Sequence, residues 1–194
     1  MHFFYIPKGS GENMTYKESL DISFLKTDSE ASDFESGLFK VLANEAQMYI
    51  AKYGTHIVKA LFLNVEKAPF KTELPEDFYR VSPMGLVDSD DELRGVDYRM
   101  AEDNFIAINE AGRFTLYYYA LPKDLTKLTD EELEDYEYEV AGHTHVAIPC
   151  YIGYQLIKTD DVGTAQVLMD EWNRYLSLFD DKAKIVKKRI RGRW

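Results

Sequence analysis

The sequence predicts an α+β fold: a small helical body built from one early helix and a C-terminal helical pair, an inserted antiparallel β sandwich or sheet, and an extended basic C-terminal tail. Three observations predict it. Apolar residues recur at steps of three and four within 36–54 and 141–181, the spacing that lines one face of a helix. Between them, over 55–140, the pattern turns to alternation broken by Pro and Gly, as in half-buried strands. After Asp181 the periodicity ends and the composition becomes basic. The division that follows is an arm or loop over 1–35, a helical body from 36–54 and 141–181, a β-rich insertion over 55–140 and a tail over 182–194.

Taken in order, residues 1–35 open with an aromatic run and a Gly/Ser/Asn break. Phe3, Phe4 and Tyr5 either dock on a neighbour or stay disordered as termini commonly do; Met14 is an alternative start, which would make what precedes it dispensable. Leu20, Phe24 and Leu25 allow a short helix, and the acidic run after it reads as a loop. Ser36 is placed to cap the first strong helix, whose stripe is Leu38, Leu42, Ala46, Tyr49 and Tyr53, widened by Phe39 and Ile50 and stopped by Gly54. In the β-rich segment, Ile57, Leu61, Leu63 and Val65 share one face, and Phe78–Ser82 is a short strand. The runs 104–108 and 113–120 flank Asn109–Gly112, which reads as a hairpin turn. Phe114, Leu116 and Tyr118 point opposite to Thr115, Tyr117 and Tyr119; Tyr136–Val140 adds a last strand, and Thr129 caps one helical turn before it. The C-terminal pair spans about Thr144–Lys158 and Val162–Phe179. Pro149 must lie in the first turn of the former or kink it. The second helix carries a stripe of Val162, Ala165, Leu168, Met169, Trp172, Leu176 and Phe179, with Asp160 and Asp161 before it to accept from the free N–H groups of its first turn.

Composition bounds the function classes. A chain of 194 residues with 45% hydrophobic and 29% charged residues has the make-up of a folded soluble domain. The 14 tyrosines suit either an interface or a β-rich segment. Of 23 basic and 34 acidic residues, seven basic and no acidic ones lie in 182–194. That leaves 16 basic residues against 34 acidic in 1–181, so −18 for the body and +7 for the tail. An acidic body repels nucleic acid, whereas the tail suits phosphate or an acidic protein surface. A single cysteine, Cys150, excludes an intrachain disulfide and any Cys-rich metal site. No stretch approaches the roughly 20 apolar residues that span a bilayer, and the first residues lack the basic start and apolar core of a signal peptide.

The chemical constellations are weak. His143 and His145 would share one face of a strand, but no carboxylate or Cys stands at a matching ligand spacing, and a turn-lining or capping role fits them better. Cys150 sits among Ile148, Pro149, Tyr151 and Ile152, not in the electropositive, accessible setting a nucleophile needs. Asp88, Asp90, Asp91 and Glu92 lack the glycine and terminal Glu of a calcium loop; Lys8–Gly11 is no phosphate loop. These readings predict no catalytic residue, no metal and no cofactor. The constellation with a functional reading is the tail, Lys184, Lys187, Lys188, Arg189, Arg191, Arg193 and Trp194. Arg and Trp dominate interface hot spots, and beside so acidic a body a protein partner suits it better than DNA or a membrane.

Four stretches taken together resemble the head-to-tail adaptor (connector or neck) proteins of tailed bacteriophages: LANEAQMYIAKY over 42–53, ELPEDFYRV over 73–81, FTLYYYALPKDLT over 114–126 and AIPCYIGYQLIKTDDVGTAQVLMDEWNRYL over 147–176. The likeness lies in element order and local character; residues 1–35 and the basic tail fall outside it. It implies a virion structural protein with no catalytic role, assembled in the host cytoplasm into a ring, commonly of twelve copies, under the portal vertex. The ring would extend the DNA channel without gripping the genome and offer a platform to the next neck or tail protein. Within the resemblance, the tail is the segment that reaches the portal protein. The alternatives are a tail-completion or other neck component, a nucleic-acid-binding protein using the basic tail, and a hydrolase built on Cys150 and the His pair.

Overall fold

A computed structural model describes residues 13–91, 94–101 and 104–191, with backbone alone for Ser36 and 180–191. The fold is α+β. It divides into two compact units: a helical unit from the residues up to Thr55 and from Asp124 onward, and a β unit, His56–Lys123. These bounds differ from the expected ones. The described part of 1–35 belongs to the helical unit, and so does 124–140, which reads from sequence as part of the β-rich insertion.

The helical unit holds α1 (Tyr16–Thr27), α2 (Ser36–Tyr53), the single-turn α3 (Asp130–Glu134), α4 (Ile148–Ile157) and α5 (Val162–Arg191). Where the sequence suggests an arm with a short helix, α1 is a full packing element. Thr15 and Glu18 form a reciprocal capping box: Thr15 N–H donates to Glu18 Oε2 at 2.8 Å and Glu18 N–H to Thr15 Oγ1 at 3.2 Å. Its buried face is Tyr16, Ser19 and Ser23, not Leu20, Phe24 and Leu25; Leu25 is 80% exposed. Serine can line a core because its hydroxyl is satisfied locally. Ser19 Oγ donates to Tyr16 O at 2.6 Å and meets Tyr138 Oη at 2.7 Å, and Ser23 Oγ donates to Ser19 O at 2.6 Å. Small side chains also allow close helix contact. A Cβ on Gly153 of α4 would stand 3.0 Å from Leu168 Cδ1 and 3.2 Å from Thr27 Cγ2.

α2 begins one residue from the expected place. Its N-cap is Glu35, without a side-chain cap bond, and Ser36 is the first helical residue. The buried stripe is Phe39, Leu42, Ala43, Ala46 and Ile50, rotated from the expected one, so that Leu38, Tyr49 and Tyr53 face outward. Thr129 caps α3 as read from sequence, and Glu132 completes a reciprocal capping box. Tyr136–Val140 is not a strand. Glu137 makes one isolated bridge to Thr15, while Tyr136 O accepts from Tyr16 N–H at 2.8 Å. The inward tyrosines explain this: Tyr138 is buried against α1, so its segment joins the helical core. Gly142–Ala147 is a 3₁₀ turn, α4 follows, and Pro149 lies in the first turn of α4, where no helical bond is lost. Asp161 caps α5, accepting from Thr164 N–H at 3.1 Å and Thr164 Oγ1 at 2.6 Å. Ala165, Leu168, Trp172 and Phe179 form its buried stripe, whereas Val162 is exposed.

The β unit contains β1 (Ile57–Val65), β2 (Phe70–Glu73), β3 (Phe78–Asp88), β4 (Tyr98–Ala101), β5 (Phe105–Ile108) and β6 (Gly112–Ala120). They form two three-stranded antiparallel sheets of order β1-β6-β3 and β2-β5-β4. One apolar cluster joins them, including Ile106 and Ile108 from β5 and Phe114 and Leu116 from β6. Asn109–Gly112 is therefore not a hairpin turn, because β5 and β6 lie in different sheets. The hairpin is β4–β5, where Asn104 takes a left-handed φ of 68°. β3 runs beyond Ser82 to Asp88 by absorbing Pro83 in a bulge, with Gly85 at φ 68° and Met84 N–H on Ser82 Oγ at 3.3 Å.

The Gly153 contact yields a test. Gly153→Val should destabilise the protein by about 1–3 kcal/mol, the usual range for overpacking, measured by urea unfolding. Unchanged stability would show that α1 and α4 do not need this approach.

Candidate functional site

The predicted binding residues lie at the end of α5. Its backbone is helical through Lys184, Lys187, Lys188, Arg189 and Arg191, so the segment expected to be extended or partly helical continues the last helix. Sequence periodicity signalled no helix there, because Ile185, Val186 and Ile190 are its only aliphatic residues. The side chains of 180–191 are not described, and Arg193 and Trp194 lie outside the described residues, as do Phe3, Phe4, Tyr5 and Glu92.

The two histidines that a metal reading would pair sit on the 3₁₀ turn, not on a strand. His143 packs edge-on against Phe179 at 5.6 Å. His145 is buried and holds the chain near its start: its Nδ1 accepts from Met14 N–H at 2.9 Å, and its Nε2 donates to Val140 O at 2.7 Å. This pair of bonds requires the neutral ring with its proton on Nε2. Burial, with the charge of His143 adding to it, lowers the His145 pKa; the Val140 bond and Glu137 oppose that. Among the described residues no group of three His, Cys, Asp or Glu side chains could hold a metal ion.

Cys150 is buried with its Sγ 3.3 Å from Glu171 Oε2, and the same oxygen accepts from Lys26 Nζ at 2.9 Å. Burial pushes the thiol up to about 12, and Glu171 adds to the rise against the opposing charge of Lys26. Burial also opposes charge on Glu171, but the bonds from Lys26 and Cys150 outweigh it and hold the carboxyl below its ordinary value. The trio ties α1, α4 and α5 together; the thiol is no nucleophile near neutral pH. In the acidic loop, Asp88 accepts from Asp90 N–H at 2.8 Å and from Arg94 Nη1 at 2.9 Å, while Arg113 Nη2 binds Asp90 at 2.6 Å. These carboxylates are matched by arginines that are remote or separated in sequence.

The remaining features are surfaces. On the helical unit the Tyr49 and Tyr53 rings meet at a tilt of 46° with centroids 4.7 Å apart, Tyr49 stands 5.9 Å from the Trp172 ring, and Tyr53 is 64% exposed. On the β unit the outer face of β1 and β6 carries Val58, Phe62, Tyr117 and Tyr119, opposite the buried Phe114, Leu116 and Tyr118. Arg80 lies over the Tyr119 ring at 5.0 Å and contacts His56 Nε2 at 2.8 Å. Sequence reading missed the exposed Phe62, at 76%, although the alternation of β1 signals that it points away from Leu61 and Leu63. Among the described residues no helix is long and apolar enough to cross a membrane. No protein-family model and no curated protein matches the chain.

Two tests follow. The fold disfavours the proton on His145, so its contribution to stability is complete above the ordinary value of 6.5 and is lost as pH falls through that value toward the lower folded one. The melting temperature should therefore drop between about pH 7 and pH 5.5. His145→Gln should start less stable and show a flatter pH slope; equal slopes would remove His145 from the account. Separately, Cys150 should resist iodoacetamide in the native protein at pH 8 and react fully in denaturant, as followed by intact mass.

Proposed function

We propose that this chain is a virion structural protein, a head-to-tail adaptor of a tailed bacteriophage. In this reading copies form a ring under the portal, extend the DNA channel and present a platform to the next neck or tail protein. The observation that carries it is charge separation along a helix. The stripe of α5 packs into the helical unit as far as Phe179, and the same helix continues through the basic segment to Arg191. Residues 182–191 in helical form span about 15 Å, so an acidic body carries a basic rod, not a loose string of charges. A basic helix is suited to an acidic protein groove. The −18 body supports a channel wall, since a negative surface lets DNA pass without adhesion.

Surface tyrosines supply a second kind of support. The exposed Tyr49 and Tyr53 and the half-buried Tyr117 and Tyr119 offer large, stiff contact area with polar tips. The interior polar groups, by contrast, are engaged in holding helices together, as Cys150, Glu171, Lys26 and His145 show.

The experiment is electron microscopy of the protein mixed with a portal ring from the same phage, using the full chain and a 1–181 truncation. The full chain should add a ring of density beneath the portal. The truncation should keep its circular dichroism spectrum and lose at least tenfold in portal affinity. Equal binding by the truncation would sink the assigned role of the basic helix, and no added density with both proteins folded would sink the adaptor reading.

A further inference from the structure

The two long edges of the β1-β6-β3 sheet are treated differently. The β3 edge is bulged at Ser82–Gly85, contains Pro83 and is covered by a neighbouring segment: Val96 N–H donates to Leu86 O at 2.9 Å and Asp88 N–H to Arg94 O at 3.0 Å. Bulges, prolines, covering loops and charged side chains are the usual means of blocking an edge. β1 has none of the first three. It pairs with β6 through nine consecutive positions without a register shift, and it contains no proline. Among the described residues β6 is its one strand neighbour, and no other backbone hydrogen bond reaches it. Its one charged side chain, Lys59, is engaged by Asp77 at 2.6 Å.

The outer face of β1 is also apolar where it could be charged. Val58, Ala60 and Phe62 are exposed there. Their order is self-complementary. If a second β1 lies antiparallel with Leu61 at the two-fold axis, Phe62 falls opposite Ala60 of the other copy, and Val58 opposite Asn64. Side chains opposite one another in such a ladder stand about 4.5–5.5 Å apart at Cβ. Ala60 is flanked on its other side by Tyr117 of β6, so the large Phe62 ring would fill the gap above a small residue and meet an aromatic. Lys59 would fall opposite Leu63, and no like charges face each other.

We propose that a second copy of this chain pairs with β1, joining two β1-β6-β3 sheets into one antiparallel six-stranded sheet. The contact is isologous, each copy giving and receiving the same strand. Strand addition of this kind takes its affinity from main-chain hydrogen bonds and its register from alternate side chains. With one strand and one Phe62 from each side, the interface falls in the class below about 1,200 Å², so the pair dissociates on dilution. A two-fold contact does not propagate around a ring; the pairing is a property of the free protein and stands independently of the adaptor reading.

The test uses the full chain. Light scattering during gel filtration should give twice the chain mass at high concentration and the mass of one chain on dilution. Phe62→Lys, at an exposed position, should keep the melting temperature and remain a monomer throughout. Register is read separately in a Cys150→Ala background. Mixed Val58→Cys and Asn64→Cys chains should oxidise to a disulfide-linked pair at least tenfold faster than either alone. A monomer at every concentration, a dimer untouched by Phe62→Lys, or cross-linking without preference for the 58–64 pair would each overturn the proposal. The 1–181 truncation retains β1, so failure here and failure of portal binding are read on different variants.

Discussion

The helical unit depends on the close approach of α1 to α4, made possible by hydroxyls in place of alkyl side chains. Ser19 and Ser23 are fully buried, yet each hydroxyl has a partner within reach, in its own helix or on Tyr138 and Pro149. The balance of energies explains the choice. A made hydrogen bond contributes about 1 kcal/mol, whereas a buried polar group left unmade costs about 1–3 kcal/mol. Such an interface therefore tolerates one relative placement of its helices and penalises others. Both ends of α1 are fastened to match. At one end Met14 meets His145, and Tyr16 meets Tyr136; at the other Lys26 reaches Glu171, which also receives the Cys150 thiol. Elements distant in sequence are thus held by polar contacts that have definite geometry, while the apolar stripes of α2 and α5 supply most of the burial.

That construction also explains what could be read from the sequence. The fold class, α2, the C-terminal pair and the two faces of β6 are carried by apolar periodicity, which burial demands and which therefore shows. α1 has almost no such signal, since its inward residues are serines and its Leu25 points to water. The one mark that could have signalled it, the Thr15–Glu18 capping box, goes unread in the sequence. Rotation of the α2 stripe has a related cause. Tyr49 and Tyr53 fit a helical repeat as well as Phe39 and Ala43 do, and only tertiary packing decides between the faces. Asn109–Gly112 looks like a hairpin turn because turn chemistry is the same whether a chain folds back on its own sheet or passes to another. The sequence ends the β3 strand at Ser82 for the opposite reason: Pro83 breaks a ladder unless a bulge absorbs it.

The residues proposed to bind a partner are legible in the sequence as charge but not as shape. A side chain that completes its contacts on a partner has no buried face in its own chain, so neither periodicity nor packing marks it. The basic run from Lys182 onward stands out against an acidic body by composition alone. Its helical backbone was not legible, because with few aliphatic residues it offers no stripe. Continuation from α5 supplies what the local sequence lacks: nucleation is the costly step of helix formation, and a helix already begun at Val162 adds residues without it.

The same logic orders the remaining surface. Reactive side chains in the interior are held by neighbours that suppress their chemistry: the Cys150 thiol by burial beside Glu171, the His145 ring by two backbone contacts. Acting from within would require breaking the contacts that fix the helices. The features with freedom to act are external ones, among them the Tyr49–Tyr53 pair and the uncovered strand β1. Of these, β1 differs in kind, because an open edge presents unsatisfied main-chain groups to any strand that meets it, regardless of side chains. Where one edge of a sheet carries a bulge, a proline and a covering segment and the other carries none of them, the difference needs a cause. The proposed pairing of Phe62 with Ala60 across a two-fold axis would supply one, since its register is self-complementary.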